Sequence, residues 1–341
     1  MKNNNKNTYI IIALICLILL NLGSMAVVLT KNVESIQKDN PFINKIKSML
    51  NIKDLVKEVV SFPFPKNKPK EEEDQISKEE KEEDLDLGED FIIIDTIEEY
   101  ENFVVVKDPK GKKSIDDVPE PLNIKKINID EAKPYIFIYH THATEAFETE
   151  KGNNYRSKDN TKNMVAIGEI MTKALEANGH NVMHEQTQHD NPSYNQSYSR
   201  SLNTLNNTLE KEKNLRFTFD LHRDGREAPK DPDKYKQLAD SFKMEIDGKS
   251  VAKFAMVIGP QTPNYDEVLS LAKYIKAVSD VMYPGLCRGI IVKKYGKFNQ
   301  FVSDYAALFE MGFNLNTFEE VSETSKLVSE ILDIAIENIK E

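Results

Sequence analysis

Apolar and polar positions follow two alternating rhythms from about Asn123 to the C-terminus. Short apolar runs, typical of buried strands, are separated by longer segments in which apolar residues recur every three or four positions, typical of amphipathic helices. The predicted strands cover 136–139, 181–184, 215–221, 288–293 and 305–310, the predicted helices cover 162–178, 199–213, 264–282 and 317–341, and a hairpin is predicted within 243–258. This alternation predicts an α/β fold, a three-layer sandwich with a mostly parallel central sheet.

The N-terminal part of the chain contains an apolar span. Residues 9–29 carry no charge and are long enough to cross a hydrocarbon core of about 30 Å as a helix. Lys2 and Lys6 precede the span, so the positive-inside rule places the N-terminus in the cytoplasm. We therefore predict a single-pass plasma-membrane protein with its catalytic domain outside the cytoplasm. A cleaved signal peptide, favoured by small residues near position 24, is the alternative.

Two segments of different composition separate the predicted anchor from the globular domain. Residues 31–65 predict a juxtamembrane amphipathic helix, and 66–90 form an acidic linker with almost no apolar content. The apolar runs at 91–95 and 103–106 predict edge strands, a small hairpin or a partner-binding segment. The predicted units are therefore residues 1–30, 31–65, 66–122 and 123–341.

Charge and cysteine content narrow the classes of function. The chain of 341 residues has a formal net charge of −11, and no basic domain or stripe stands out, so nucleic acid is not an expected partner. Cys16 lies inside the apolar span, which leaves Cys287 as the one cysteine of the exported part. A metal site there must consequently use histidine and carboxylate ligands.

Three of the predicted strands end in residues that bind metals or move protons. The first strand leads into His142 and Glu145, another into His222 and Asp224, and a third into Glu310. Open α/β sheets build metal and substrate sites at the carboxyl ends of their strands. We therefore predict one zinc-centred hydrolytic site.

The residue types allow a role to be assigned to each position. A catalytic zinc needs three protein ligands and an open position for water, and the predicted ligands are His142, Glu145 and His222. Glu310 is the predicted general base and acid, which would take a proton from water and deliver it to the departing nitrogen. Arg223 is a candidate for stabilising the oxyanion.

Other polar residues near these motifs have predicted supporting roles. His140 lies two residues before His142 and shares its side of a strand, so it is a candidate for orienting a ligand, or for being one. His180 follows a predicted helix end, where a structural role is expected. Thr317 and Glu320 have the spacing of a capping box.

These segments together resemble the stage II sporulation protein P family. The matching residues are Ile138-Tyr-His-Thr-His-Ala-Thr-Glu145, Asn191-Pro-Ser-Tyr-Asn-Gln-Ser-Tyr-Ser-Arg200, Phe219-Asp-Leu-His-Arg-Asp224 and Phe309-Glu-Met-Gly-Phe-Asn-Leu-Asn-Thr317. The resemblance covers about 123–341, together with the plan of an anchor and a linker. More distantly, the motifs are similar to zinc-dependent N-acetylmuramoyl-L-alanine amidases, in which His, Glu and His bind zinc and a late Glu is catalytic.

The resemblance implies a peptidoglycan hydrolase that acts during engulfment in endosporulation. Such an enzyme would cut the amide between N-acetylmuramic acid and L-alanine, and the family is also credited with cleaving peptide cross-links. The expected partners are glycan strands and stem peptides of the wall, the membrane, the sporulation protein D transglycosylase and the membrane protein M. Tyr194, Tyr198 and Arg200 lie in a loop-like stretch and are candidates for lining a glycan groove.

One departure from the amidase pattern leaves the second ligand open. The zinc-dependent N-acetylmuramoyl-L-alanine amidases have a Glu ligand near the start of the first helix after the first strand. The corresponding stretch here, 157–161, contains no Glu. Glu145, another carboxylate and His140 therefore remain alternatives for this ligand. Two other functions also remain open: a zinc endopeptidase acting only on stem peptides, and a non-enzymatic wall-binding scaffold.

Overall fold

The computed structural model describes residues 91–100 and 118–341, which form a mixed α/β structure. The elements in these two ranges are, in chain order, β1 (Phe91–Ile94), β2 (Ile136–Tyr139), α1 (Met164–Ala177), β3 (Val182–His184), α2 (Ser197–Lys211), β4 (Phe217–Asp224), α3 (Pro232–Ser241), β5 (Lys243–Ile246), β6 (Lys249–Ala252), β7 (Phe254–Ile258), α4 (Tyr265–Met282), β8 (Cys287–Lys293), β9 (Tyr305–Phe313) and α5 (Phe318–Ile339). The predicted anchor at 9–29, the juxtamembrane segment at 31–65 and the apolar run at 103–106 lie outside the described residues. Within the described ranges, no helix combines the length and apolar character needed to cross a membrane.

Seven strands form one sheet in the order β1-β8-β7-β9-β4-β2-β3. The strands from β9 through β4 and β2 to β3 pair in parallel, as do β7 and β8. The pairs β7–β9 and β1–β8 are antiparallel. The sheet is therefore mostly parallel, as predicted, with two antiparallel junctions that the apolar pattern does not reveal.

The remaining two strands, β5 and β6, form the predicted hairpin. Asp247 and Gly248 join them, with φ values of 51° and 75°. Positive φ at both central positions is typical of the tight turn that suits the twist of paired strands. The Asp-Gly signal in the sequence therefore marks this turn correctly.

Helices cover both faces of the large sheet, but unequally. Helices α1, α4 and α5 pack on one face, where Phe219 and Phe309 belong to the main apolar core. On the other face, α2 contributes Leu205 to a smaller cluster with Phe137 and Tyr139. The central part of this second face carries polar side chains, and these form the candidate site described below.

The ends of two helices follow from local sequence. Asn163 caps α1, because its Oδ1 accepts a 2.9 Å hydrogen bond from the backbone of Val165. Gly179, with φ of 95°, follows the last turn of the same helix, where a left-handed residue is favoured. Thr317 and Glu320 form the predicted capping box at the start of α5.

Strands β4 and β9 extend further than their apolar patterns predict. His222 consequently lies inside a paired strand, not just beyond a strand end as expected, and Glu310, the last residue of its predicted strand, is followed by three further strand residues. The reason is that β4 and β9 pair with each other through both positions. The backbone ladder stabilises the strands where the side chains are polar.

Helix α3 is absent from the predicted elements. It is short and largely polar, and Leu238 is its one buried residue. Asp231 accepts a hydrogen bond from Lys234 N, and Pro232 occupies the first helical position. These start signals are present in the sequence, but the weak apolar stripe does not predict a helix by periodicity.

The segment 91–100 packs against the same domain as residues 118–341. β1 pairs with β8 as an edge strand, one of the alternatives predicted for 91–95. Tyr100 is buried, and its hydroxyl accepts a 2.9 Å hydrogen bond from Leu122 N. The end of the predicted linker is therefore built into the domain.

Candidate functional site

The polar centre of the second sheet face is built on β4. Residues of a strand point alternately to opposite faces, so Asp220, His222 and Asp224 share a face while Phe219 and Leu221 enter the main core. All three polar side chains are buried. A buried polar stripe on a strand between apolar neighbours needs partners or a ligand.

The neighbouring strand places Glu310 beside this stripe. Glu310 on β9 is paired with His222 on β4 in the parallel register. The imidazole rings of His142 and His222 are 5.0 Å apart between centroids, and Glu145 Oε2 lies 3.7 Å from His222 Nδ1. The structure thus brings together the four residues for which metal binding or proton transfer is predicted.

Two loops after β2 and β3 hold His142 and Glu145 in place. Thr144 donates to Asp190 from its backbone nitrogen, at 3.2 and 3.1 Å, and from its hydroxyl, at 2.5 Å. Arg156 forms an ion pair of 3.3 Å with the same carboxylate. Because Asp190 is almost fully buried, this network fixes the chain between the two predicted ligands.

Arg223 helps to orient Glu145 but does so mainly through its backbone. Its backbone nitrogen donates a 3.1 Å hydrogen bond to Glu145 Oε2. Its guanidinium donates to the carbonyls of Ala146 and Tyr155, at 3.0 and 3.2 Å. The side chain therefore ties down the loop that follows Glu145, and its predicted contact with an oxyanion stays a prediction.

His140 lies behind the site in a buried histidine pair. Its Nδ1 donates to Leu221 O at 3.3 Å, so its Nε2 accepts the 2.8 Å hydrogen bond from His184 Nε2. Burial lowers the pKa of His140 to about 3, which keeps the ring neutral. His140 thus links the strand before His142 to the strand that carries His222.

Tyr194 and Tyr198 cover His142. The ring of Tyr194 stacks on the imidazole at 4.1 Å and 5°, and Tyr198 contacts it edge-on at 5.5 Å. Arg200 donates to the carbonyls of His189 and Ser193. The two tyrosines lie at the site, whereas the described contacts of Arg200 organise the loop before α2.

The charges at the site shift the pKa values of its residues in opposite directions. Burial alone lowers the pKa of His222, but the carboxylates of Asp220, Glu145 and Glu310 outweigh it and raise the pKa to about 10. Burial raises the pKa of Glu310 to about 7, and Asp224 contributes to the increase. Burial also lowers the pKa of His142 well below its ordinary value, with a contribution from His222.

One pair of the predicted ligands has the spacing of metal ligands. Two ligand atoms of a tetrahedral zinc are about 3.4 Å apart, given metal–ligand distances of 2.0–2.2 Å, and His222 Nδ1 and Glu145 Oε2 are separated by 3.7 Å. Glu310 Oε2 is buried without a hydrogen-bond partner among the described residues. Several carboxylates enclosed around one imidazole form an environment that a cation would stabilise.

In the described part of the chain, the group of metal-type residues whose ligand atoms all lie close together is found elsewhere in the domain, and His142, Glu145 and His222 do not form such a group. His180, Asp333 and Glu337 offer ligand atoms within 4.8 Å of one another, so the group could hold a metal ion. Both ring nitrogens of His180 already have partners, Tyr135 OH at 2.6 Å and Asp333 at 2.9 Å, while Lys340 pairs with Glu337. These contacts agree with the structural role predicted for His180.

Sequence reasoning missed Asp190, Asp220 and Arg288. Asp220 precedes His222 by two residues, and this spacing in a strand was an available signal for a shared face. Arg288 pairs with Asp224 from β8 across the sheet. Its position depends on strand order, and no local pattern marks it.

The fold and the site define an α/β protein that carries a buried histidine and carboxylate cluster on one face of a mostly parallel sheet. The sequence model of Stage II sporulation protein P (SpoIIP) matches residues 23–333, and the chain belongs to this family. Stage II sporulation protein P of Bacillus subtilis (strain 168) is 29% identical over 215 residues, which is 58% of this chain and 50% of that protein. The chain thus matches about half the length of this curated relative. The family name indicates a protein of sporulation.

Proposed function

We propose that the chain is a membrane-anchored, zinc-dependent peptidoglycan hydrolase that cleaves the N-acetylmuramoyl-L-alanine amide during engulfment. One observation carries the proposal: His142, Glu145, His222 and Glu310, which are distant in sequence, meet in one buried cluster. The family membership supports a hydrolase of sporulating cells. Cleavage of peptide cross-links belongs to the same proposal as a second activity.

His142, Glu145 and His222 would hold the zinc ion. A zinc ion in such a site supplies Lewis acidity and acidifies water near neutral pH. Glu310 is suited to the proton transfers, since its raised pKa of about 7 lets it accept and release a proton near neutrality. It would take a proton from the attacking water and return it to the amide nitrogen as the bond to L-alanine breaks.

The surrounding residues would keep the site in this arrangement. Asp190 and Arg156 hold the loop between the first two ligands, and Tyr194 packs on the His142 ring. The tyrosines that cover the site are suited to contact the glycan near the scissile bond, in keeping with the groove predicted for them. Catalysis of this kind depends on such preorganised geometry.

The proposed location and partners follow from the N-terminal sequence and the family resemblance. The apolar span at 9–29 would anchor the chain in the plasma membrane, with the catalytic domain facing the wall. The acidic linker would let that domain reach glycan strands and stem peptides away from the bilayer. The sporulation protein D transglycosylase and the membrane protein M are the proposed protein partners.

Metal analysis and wall digestion of the same variants test the proposal. The purified chain should contain zinc and digest peptidoglycan, and both should be lost in His222→Ala. Asp333→Asn is the control, because it alters the second His/Asp/Glu group and should keep both properties. Wall-digesting activity in His222→Ala or in chelator-treated protein would overturn the proposal.

Mass spectrometry of the products identifies the bond that is cut. Amidase action releases stem peptides that begin with a free L-alanine and leaves muramic acid with an unsubstituted lactyl carboxylate. Products that retain L-alanine on muramic acid, with cross-links opened, would indicate the endopeptidase alternative. An unaltered wall in the presence of zinc-loaded protein would favour the scaffold alternative.

A further inference from the structure

Asp220 is a buried carboxylate to which the proposed chemistry gives no task. It exposes 1% of its surface and lies two residues before His222, on the same face of β4. Its Oδ1 is 3.2 Å from His222 Nε2, within ion-pair distance, but Nε2 has no hydrogen bond of good geometry among the described residues. Burying a charged carboxylate costs free energy unless the group is paired. The contact with His222 is therefore expected to have a role.

The same carboxylate holds the chain segment next to the first predicted ligand. Oδ1 accepts a 2.8 Å hydrogen bond from Thr141 N, and Oδ2 accepts a 2.6 Å hydrogen bond from Thr141 Oγ1. Thr141 directly precedes His142, so Asp220 connects the backbone at one predicted ligand to the ring of the other. Because these bonds occupy lone pairs of both oxygens, Asp220 is better suited to accept an imidazole N–H than to bind a metal.

Helix α2 adds a further link to this connection. The hydroxyl of Thr141 also contacts Ser201 Oγ at 2.9 Å, and Asn299 donates to Ser201 Oγ at 3.0 Å. The group around Asp220 is therefore packed from the strand, from the ligand loop and from the helix above. Such a group can fix the orientation of a ring more firmly than a single contact would.

We infer that Asp220 is a positioning residue, which would accept a hydrogen bond from the nearby His222 Nε2 when the metal is bound and thereby present His222 Nδ1 to the ion. This inference rests on the proposed function. Nδ1 faces Glu145 Oε2 at 3.7 Å, whereas Nε2 faces Asp220, so the two predicted ligands approach each other on the side of the ring away from Asp220. Histidine ligands commonly donate their other N–H to a carboxylate, which orients the ring and increases its basicity.

The zinc affinity of the full-length, detergent-solubilised chain provides the first test, by competition with a chromogenic chelator. Asp220→Asn keeps the size of the side chain and one acceptor oxygen but removes its charge, and we expect zinc to bind roughly 10- to 100-fold more weakly. Thr218→Val is the matched control. Thr218 is equally buried on the same strand face, and its hydroxyl has no hydrogen-bond partner among the described residues, so its loss should leave the affinity unchanged. Equal zinc affinity of Asp220→Asn and wild type would overturn the inference.

A second measurement identifies directly which ring nitrogen of His222 carries the proton, and it requires no substitution at Asp220. In the zinc-loaded chain with isotope-labelled histidine, long-range proton–nitrogen correlations show which nitrogen of His222 keeps its proton, and His222→Gln assigns the signal. We expect the proton on Nε2 and the metal on Nδ1. A proton on Nδ1 would overturn the inference and leave the proposed function intact. A wild-type chain that binds no zinc would overturn both.

Discussion

Glu310 lies directly opposite His222 in the parallel ladder of β4 and β9. Paired residues of neighbouring strands point to the same face of a sheet, so the predicted base and a predicted ligand stand side by side at one level. Backbone register creates this relationship, and a conservative change at one position should leave the other in place. The two roles can therefore be separated by mutation.

Glu310→Gln should abolish turnover and spare the metal. General acid–base catalysis contributes roughly 10²- to 10⁴-fold to a rate, so we expect the rate of wall digestion to fall at least about 100-fold. The zinc content, measured by mass spectrometry, should remain at the wild-type level, because the predicted ligands are other residues. Loss of zinc from Glu310→Gln would show that Glu310 is itself a ligand.

Glu310 should also make the stability of the metal-free chain depend on pH. Its pKa is raised to about 7, above the value of 4.5 for an unperturbed group, so the folded chain binds this proton more tightly than the unfolded chain. Stability should therefore decrease as pH rises from about 4.5 to about 7. The contribution is at most about 3.5 kcal/mol, since one pKa unit corresponds to about 1.4 kcal/mol.

Thermal unfolding of the metal-free wild type and Glu310→Gln checks this pH dependence. The glutamine cannot ionise, so the stability of the variant relative to wild type should increase between pH 5 and pH 7. The difference between the two proteins separates this group from the others that titrate in the same range. A constant difference across this range would show that Glu310 keeps an ordinary pKa in the fold.

The sequence predicts which ligand and base residues come together at the site better than it predicts the residues that hold them in place. His142, His222 and Glu310 follow or interrupt apolar strand patterns, and parallel strands deliver such residues to one region of a sheet. Asp190 lies in an irregular loop, and its contact with Thr144 depends on how that loop packs. No periodic pattern encodes such a contact, so sequence reasoning could not identify it.

The order and direction of the strands were also beyond sequence reasoning. Alternating strands and helices predict parallel pairing, but β7 and β9 are antiparallel neighbours although β8 separates them in the sequence. This arrangement places Ala255 opposite Glu310 and brings Arg288 of β8 within reach of Asp224. Such pairing is determined by long-range packing, which local apolar patterns do not specify.

Gly168→Ala should destabilise the domain although alanine favours helices. A Cβ atom at Gly168 in α1 would lie 2.4 Å from His184 Nε2 and 2.6 Å from His140 Nε2. Alanine gains about 0.5–1 kcal/mol over glycine in an open helix, whereas overpacking a buried site costs about 1–3 kcal/mol. We therefore expect a net loss of stability, measured by denaturant unfolding.

Gly152→Ala is the control for this substitution. A Cβ atom at Gly152 would meet nothing within 4 Å, so its stability should remain within about 0.5 kcal/mol of wild type, as for most surface substitutions. Wild-type stability in Gly168→Ala would show that His140 and His184 can move apart. The hydrogen bond between these two rings would then contribute little to the rigidity of the site.

Gly289→Ala should release the segment 91–100 from the domain. Gly289 on β8 has φ of 142°, and a Cβ atom there would lie 2.9 Å from Ile93 Cγ2 and 3.1 Å from Ile94 O. Alanine therefore meets both backbone strain and a steric clash with β1. We expect faster amide exchange in residues 91–94, measured by hydrogen exchange with mass spectrometry.

Gly285→Ala separates the two effects, because Gly285 also has a positive φ, 84°, but open space around it. It should lower stability without changing exchange in β1, and equal exchange of β1 in both variants would show that the close approach at Gly289 does not hold the strand.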